Sequence, residues 1–468
     1  MISKKQLEII NELLKKEIKE GKEVCLTVST PSMKPILDSE DEIIVKYCDI
    51  KELSKGDIIL YEDDGNFYSH RFLSRKYKNG QPLLVIKSDN SFHKLLLPEN
   101  QFLGKVIKIK KKIEFTNLIT ETRENRVSSL FYFYFKNRKE NLSEEFLKLL
   151  EKDYYQTLCR NILIWEEIKP IIKTFEENKT DIILLKGIFL SMVVYSSPGL
   201  RPVGDIDVLV RTKDILKVDK ILNNFGYFPV DIKPSNIKID DIGYLTTLDY
   251  RNNKNFSIHL HYHLVNSTVP NFSYISRINM DRIFEKAEVI EKDGIKFLTL
   301  SPEHLIIYLC EHGLRVTHSL SKLIFLTDIS YSINYYKDRI NWDFLIKESY
   351  SFGLERMVYF SLYTVNKVLK IEIPEKVLSS LKPKRITLGE KFFLSCVLKN
   401  RSFSGLSWFI HLAMNKNIFQ KTKFIFRTFF PPKRVLAQQN YISQINYSHY
   451  FSRLKQILFH IKNNTLIQ

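Results

Sequence analysis

The spacing of apolar residues changes character three times along the chain. Between Met1 and Gly21, Leu7, Ile10, Leu14 and Ile18 recur every three or four positions among Lys and Glu, which predicts an amphipathic helix. Short β-prone runs follow at Val24–Val28, Glu42–Lys46, Asp57–Tyr61, Leu83–Lys87 and Lys105–Lys110, separated by Pro, Gly, Asp and Asn. After the basic run Lys108–Lys112 the period returns to that of a helix, over Leu130–Tyr134 and Glu144–Glu177. From Asp181 the elements alternate: a strand at Ile182–Leu185, a helix at Gly187–Tyr195, a Pro-Gly turn, a strand at Ile206–Val210 and a helix ending near Gly226. A further strand is predicted at Ser257–Leu264, and from Pro302 onward amphipathic helix dominates.

This order predicts a multidomain α+β protein: a small all-β domain with an N-terminal helix (1–113), a helical connector (114–178), an α/β core (179–300) and a helical C-terminal region (301–468). A length of 468 residues exceeds one ordinary domain, and 44% hydrophobic with 26% charged residues excludes a disordered chain. The net charge of +18 points to polyanionic partners: a nucleoside triphosphate, nucleic acid or an anionic membrane surface. The five cysteines are scattered and show no C-x-x-C pair, which favours a reducing compartment over a disulfide framework or a zinc knuckle. No stretch approaches the ~20 apolar residues that span a bilayer, so the expected location is the cytoplasm, with peripheral membrane contact left open.

Two constellations carry chemistry. In the β-rich part, Ser32-Met33-Lys34-Pro35 is followed by Lys55-Gly56-Asp57, His70-Arg71, Lys87-Ser88-Asp89-Asn90 and Gly104-Lys105-Val106. This ordered set resembles the catalytic domain of the signal peptidase I family over about a quarter of the chain. Thr30-Pro31, Glu40-Asp41 and Ser88 depart from that family's pattern at positions where it carries glycine or Gly-Asp. The resemblance implies a serine endopeptidase in which Ser32 attacks a peptide, His70 takes its proton and Asp89 orients His70.

The central constellation reads Leu184-Leu185-Lys186-Gly187, Tyr195, Pro198-Gly199-Leu200-Arg201 and Gly204-Asp205-Ile206-Asp207-Val208-Leu209-Val210. Side chains two apart on a strand share a face, so Asp205 and Asp207 are expected to converge while Ile206 and Val208 face the core. Two adjacent carboxylates repel unless a cation lies between them, and Mg²⁺ or Mn²⁺, with hard oxygen ligands, suits that place. Gly187 would let the backbone approach a triphosphate, with Lys186 and Arg201 neutralising phosphate charge. The pattern resembles the DNA polymerase beta-like nucleotidyltransferase superfamily, and within it a bacterial family with L-K-G and P-G-x-R-x-x-x-D-I-D. The likeness extends through Leu260-His261-Tyr262, Ser301-Pro302-Glu303-His304-Leu305 and Leu326-Thr327-Asp328-Ile329. It implies transfer of a nucleotidyl group to an unknown acceptor. Active members of that superfamily place a third carboxylate on the later strand. Here His259 stands there, and it is expected to serve as base for an incoming hydroxyl.

His259, His261 and His263 alternate with apolar residues and are expected to share one face, where a zinc site is a minor alternative. In the tail, Lys421, Lys423, Arg427, Lys433 and Arg434 interleave with Phe419, Phe424, Phe426, Phe429 and Phe430. Such a segment either packs its Phe face inward or lies on an anionic membrane or nucleic acid. The leading expectation is therefore a Mg-dependent nucleotidyltransferase fused to a peptidase-like domain. The alternative is an inactive scaffold that binds a peptide or partner in a peptide natural-product or surface-polysaccharide pathway.

Overall fold

A computed structural model describes most of the chain between Lys4 and Lys455; the longest stretches left out are 137–143, 235–246, 266–275, 434–445 and 456–468. Thr30, Pro31, Lys34, Pro35, Glu40, Asn90, the end of the basic run at 111–112, and Arg434 lie outside the described residues. The chain divides into two compact units, Met1–Phe115 and Thr116–Gln468.

In the first unit the helix Lys4–Lys19 precedes seven strands: β1 (Val24–Thr27), β2 (Glu42–Lys46), β3 (Ile58–Asp63), β4 (Asn66–Lys78), β5 (Gln81–Lys87), β6 (Lys94–Pro98) and β7 (Phe102–Lys110). They form one antiparallel sheet in the order β1-β2-β7-β3-β4-β5-β6. Central β3 is buried on both faces. Ile58 and Leu60 join a core with Ile18, Val24 and Met33, while Ile59 and Tyr61 join another with Phe72, Leu84 and Phe102. Gly104 is required where β7 meets β2, because a Cβ there would lie 2.7 Å from the Lys46 carbonyl oxygen.

The second unit is built on a mixed sheet in the order β10-β11-β12-β9-β8-β14-β13. Its strands are β8 (Ile182–Leu184), β9 (Ile206–Val210), β10 (Phe228–Pro229), β11 (Thr247–Arg251), β12 (Ser257–His261), β13 (Glu288–Lys292) and β14 (Ile295–Thr299). Here β9 runs antiparallel to β8 and parallel to β12. Every residue of β9 is buried, so both faces of the sheet are covered there. The long helix Glu144–Glu177 contributes Ile164, Trp165, Ile168, Ile171 and Phe175 to the core, the i, i+3, i+4 pattern of a packed stripe.

Two predicted elements differ in detail. The strand expected through Leu264 ends at His261. The helix expected at Gly187–Tyr195 is a four-residue α segment, Lys186–Phe189, continued by a π turn over Leu190–Val194. Gly187 adopts φ 30°, ψ −105°, which no regular helix contains.

Beyond the sheet, the helix Pro302–Gly313 is buried on all sides. The Ser301 side chain accepts from His304 N at its start and Pro302 occupies the first turn. A helix buried on every side is a core helix even though it carries Glu303, His304, Glu311 and His312, and Leu323–Tyr336, Trp342–Phe352 and Glu355–Leu369 pack around it. Farther on, His411 in the helix Trp408–Met414 is buried, with Nε2 on the Leu314 carbonyl at 3.1 Å and a buried Nδ1 that has no partner.

Burial lowers the His411 pKa to about 4, the hydrogen bond to Leu314 opposing it only in part. A depressed folded pKa means that the stability is complete above the unfolded value of ~6.5 and is lost as pH falls toward 4. At about 1.4 kcal/mol per pH unit the loss attributable to this residue is on the order of 3 kcal/mol. Thermal melts between pH 7.5 and 4.5 should therefore show a shallower decline in His411→Gln, which keeps a donor for Leu314, than in the parent protein. Equal slopes would remove His411 from the account.

Candidate active site

The acids of the D-x-D pair sit where β9 leaves its preceding loop, and they converge. His259 Nδ1, from the parallel neighbour β12, lies 2.9 Å from Asp205 Oδ2 and 3.9 Å from Asp207 Oδ1. His259 pairs in register with Asp207, so the alignment of the two strands fixes this meeting. Ligand atoms of Asp205, Asp207 and His259 all fall within 4.8 Å of one another, forming a group able to hold a metal ion among the described residues.

Asp207 is wholly buried. Its Oδ1 receives His261 Nε2 at 2.9 Å and faces Lys186 Nζ at 3.4 Å, whereas its Oδ2 is buried without a hydrogen-bond partner. Burial alone would raise the pKa of Asp207, but the Lys186 charge and the His261 hydrogen bond prevail and hold it well below the usual carboxylate range. His261, pushed down by its own burial, donates through Nε2 as a neutral ring, and its buried Nδ1 has no partner. Gly187 lies directly against the pair: a Cβ there would be 3.3 Å from the Asp205 carbonyl oxygen and 3.5 Å from Asp207 Oδ2.

His259 behaves differently from its neighbour two residues on. Burial opposes its charge, but the hydrogen bond to Asp205 and the charges of Asp205, Asp207 and Asp249 push its pKa up to about 9. The raised pKa favours the charged ring, which pairs with the acids beside it. On the far side of the ring, Asp249 of antiparallel β11 pairs in register with His259 and places Oδ1 3.7 Å from its Nε2. His263, expected on the same face, lies beyond the end of the strand, with Nδ1 against the Val265 backbone.

A cleft of about 470 Å³ opens above these groups. It is also lined by Arg126, Lys186, Arg315, Lys322, His312 and His318. Lys186 Nζ donates to His312 Nε2 at 2.9 Å, and His312 is kept neutral by burial and by the Lys186 and Arg315 charges. Arg201 also borders the cleft, but its guanidinium is committed. Nε and Nη2 each lie 2.8 Å from an oxygen of Asp328, to which Tyr195 Oη also donates at 2.9 Å. That buried pair locks the loop before β9 onto the helix Leu323–Tyr336, so the free cation assigned to Arg201 on sequence grounds is absent. Asn161 completes the lock. Its Nδ2 donates to Ser191 Oγ and to the Pro198 and Arg201 carbonyls, and its Oδ1 accepts from Val203 N.

A family described as "Uncharacterised nucleotidyltransferase" matches residues 111–370, more than half of the chain. The chain belongs to this family. Among solved structures, an antigenic nucleotidyltransferase-like protein from Paracoccidioides brasiliensis is similar at 14% identity and a TM-score of 0.27, over 47% of this chain and 92% of that one. No curated protein matches. The nucleotidyltransferase match begins at residue 111 and so holds the whole D-x-D site, while residues 1–110 fall outside it.

In the N-terminal unit the motif residues are brought together otherwise than the peptidase resemblance implies. Asp89 receives both Nε and Nη2 of Arg71, at 2.8 and 2.6 Å, instead of orienting His70. Arg71 Nη1 reaches the Gly56 carbonyl at 2.6 Å, and Lys105 Nζ pairs with Asp57 at 2.9 Å. The recurring K-G-D, H-R and G-K segments are thus tied to one another as a framework. His70 is buried with Nδ1 3.0 Å from Tyr61 Oη, its pKa lowered by burial against the nearby Asp89 charge. Ser32 is half-buried beside the fully buried Met33, and its carbonyl accepts from Ser88 Oγ.

Asp249, Asn161, Arg315 and Lys322 were not singled out from the sequence. Asp249 had a readable signal, since Leu248 and Tyr250 alternate with it as a strand facing the core requires. Asn161 interrupts the apolar stripe of its helix, the usual mark of a buried polar anchor.

Because Arg201 and Asp328 are both buried, losing one partner strands the other. Arg201→Leu or Asp328→Leu alone should destabilise the protein by roughly 3–5 kcal/mol, and the double variant by less than the sum of the two. Urea denaturation of the three variants measures this, and strict additivity would contradict a shared pair.

Proposed function

We propose that this nucleotidyltransferase family member transfers a nucleotidyl group from a nucleoside triphosphate to an acceptor hydroxyl, with a divalent cation held by Asp205 and Asp207. The observation that carries this reading is the convergence of Asp205 and Asp207, whose ligand atoms lie within 4.8 Å of one another, together with the buried Oδ2 of Asp207 that has no hydrogen-bond partner. A buried carboxylate oxygen without a donor is costly, and a hard cation such as Mg²⁺ or Mn²⁺ is the partner that chemistry supplies. Such a cation, when bound, would stabilise charge on the phosphoryl oxygens during in-line displacement.

The protein's own groups take the remaining roles. Lys186 sits between Asp207 and the neutral His312, placed to meet a phosphate oxygen at the mouth of the acid pair. Gly187 leaves room for that approach. Arg126 and Lys322 extend positive charge along the cleft wall, while the Arg201–Asp328 pair holds the loop rather than the substrate. The acceptor hydroxyl oxygen attacks the α-phosphorus, its proton passes to solvent, and the bond to pyrophosphate breaks. His259, positioned by Asp205 and Asp249, carries a charge that offsets the repulsion of three carboxylates.

A second reading rests on that same histidine. With an imidazolium already between the acids, the site would be inactive, and the chain would act as a scaffold that binds a peptide or partner. Incubation with α-labelled nucleoside triphosphates and Mg²⁺ or Mn²⁺, read as pyrophosphate release and label transfer, separates the two. We expect turnover that falls by more than about a hundredfold in Asp205→Asn and Asp207→Asn, since even outer-shell changes at metal sites cost 10–100-fold. Nucleotide binding by calorimetry with no metal-dependent release in the parent protein would favour the scaffold.

A further inference from the structure

The helix Ile418–Phe429 packs on the second unit through Phe424 and Thr428, which are 2% and 4% exposed. Its opposite side is not the polar face that a surface helix normally presents. Ile418, Phe419 and Phe426 are 77%, 72% and 62% exposed, and Phe430 just beyond the helix is 42% exposed. At about 100° per residue these four fall within one arc of the helix. Lys423 and Arg427 border that arc on one side and Lys421 on the other, and the helix contains no acidic residue.

We propose that this face docks on an anionic lipid surface. Four large apolar side chains turned outward on one side of the helix leave a patch that water solvates poorly. Cations along both edges, on stems long enough to lie beside the aromatic rings, form the arrangement that seats a helix at the headgroup boundary. The helix has 12 residues, and no described helix is long and apolar enough to cross a membrane, so it lies in the plane of the interface. Single-stranded nucleic acid fits less well, because base stacking uses aromatic platforms set in a positively charged groove. Here the exposed face also carries the aliphatic Ile418 and Ile425, which offer no platform to a base. The net charge of +18 adds long-range attraction to the same surface.

Flotation of the full-length protein with vesicles tests this. Binding is expected to phosphatidylcholine vesicles containing phosphatidylglycerol, to be absent with phosphatidylcholine alone, and to weaken as salt is raised. Lys421→Gln/Lys423→Gln should reduce partitioning about thirtyfold, at roughly 1 kcal/mol for each basic residue near the surface. Phe419→Ser/Phe426→Ser should abolish it, with unchanged circular dichroism confirming that the exposed positions leave the fold intact. Equal binding by the parent and both variants, or none to anionic vesicles, overturns the proposal. So does a concentration-dependent dimer that the Phe419→Ser/Phe426→Ser change dissolves, or retention on a single-stranded oligonucleotide without vesicle binding.

Discussion

The second unit is organised around one carboxylate removed from water. Asp207 is fully buried in the middle of a sheet whose central strand is covered on both faces, and an ionised group in that place costs several kcal/mol unless it is met by charge and hydrogen bonds. Three elements converge to meet it. The segment after β8 brings Lys186, β12 brings His261, and the buried helix Pro302–Gly313 brings His312, which steadies Lys186. Both donors go to Oδ1, and Oδ2 is left bare. That asymmetry matters more than the acid's depressed pKa, since a purely structural buried carboxylate would have both oxygens satisfied.

Holding Asp207 in place requires that the loop before β9 not move, and the polar interior is arranged to that end. Arg201, Asp328, Tyr195 and Asn161 form a connected network in which the side chains mostly clamp the backbone at residues 198–203. Gly199 belongs to the same clamp for steric reasons: a Cβ there would overlap the Tyr154 ring at 2.6 Å. The P-G-x-R sequence therefore reads as a backbone anchor that ends three residues upstream of Gly204, just before the acids. Its arginine does its work by being immobile.

These distinctions set what could be read from sequence. The strand Ile206–Val210 was legible because five apolar or paired residues lie between turn formers, and the convergence of Asp205 and Asp207 follows from the period of a strand. Lys186 and Gly187 were legible from their place at a strand end. The commitment of Arg201 to Asp328 was not, because the partners are 127 residues apart and nothing local distinguishes a buried guanidinium from one awaiting phosphate. Asp89 failed for the opposite reason. Its neighbour in sequence order, His70-Arg71, offered two candidates one residue apart, and alternate strand residues point to opposite faces, so the pairing went to Arg71. The helix after Gly187 was mistaken in kind because a single φ of 30° lies outside any periodicity argument.

The surroundings of His259 decide how the site should be viewed. Asp249 on β11 stands in register with His259, and the ring lies between it and Asp205, at 3.7 and 2.9 Å. Three carboxylates then face Lys186 and one imidazolium, so the acid end retains an excess of negative charge. Arg126 and Lys322 line the same cleft beyond the closed pairs Arg201–Asp328 and Arg315–Glu311. A cleft that holds both an acid cluster and further cations repels in part a simple anion or a simple cation. The metal-bound triphosphate proposed for it, a polyanion that brings a cation with it, matches that mixed charge.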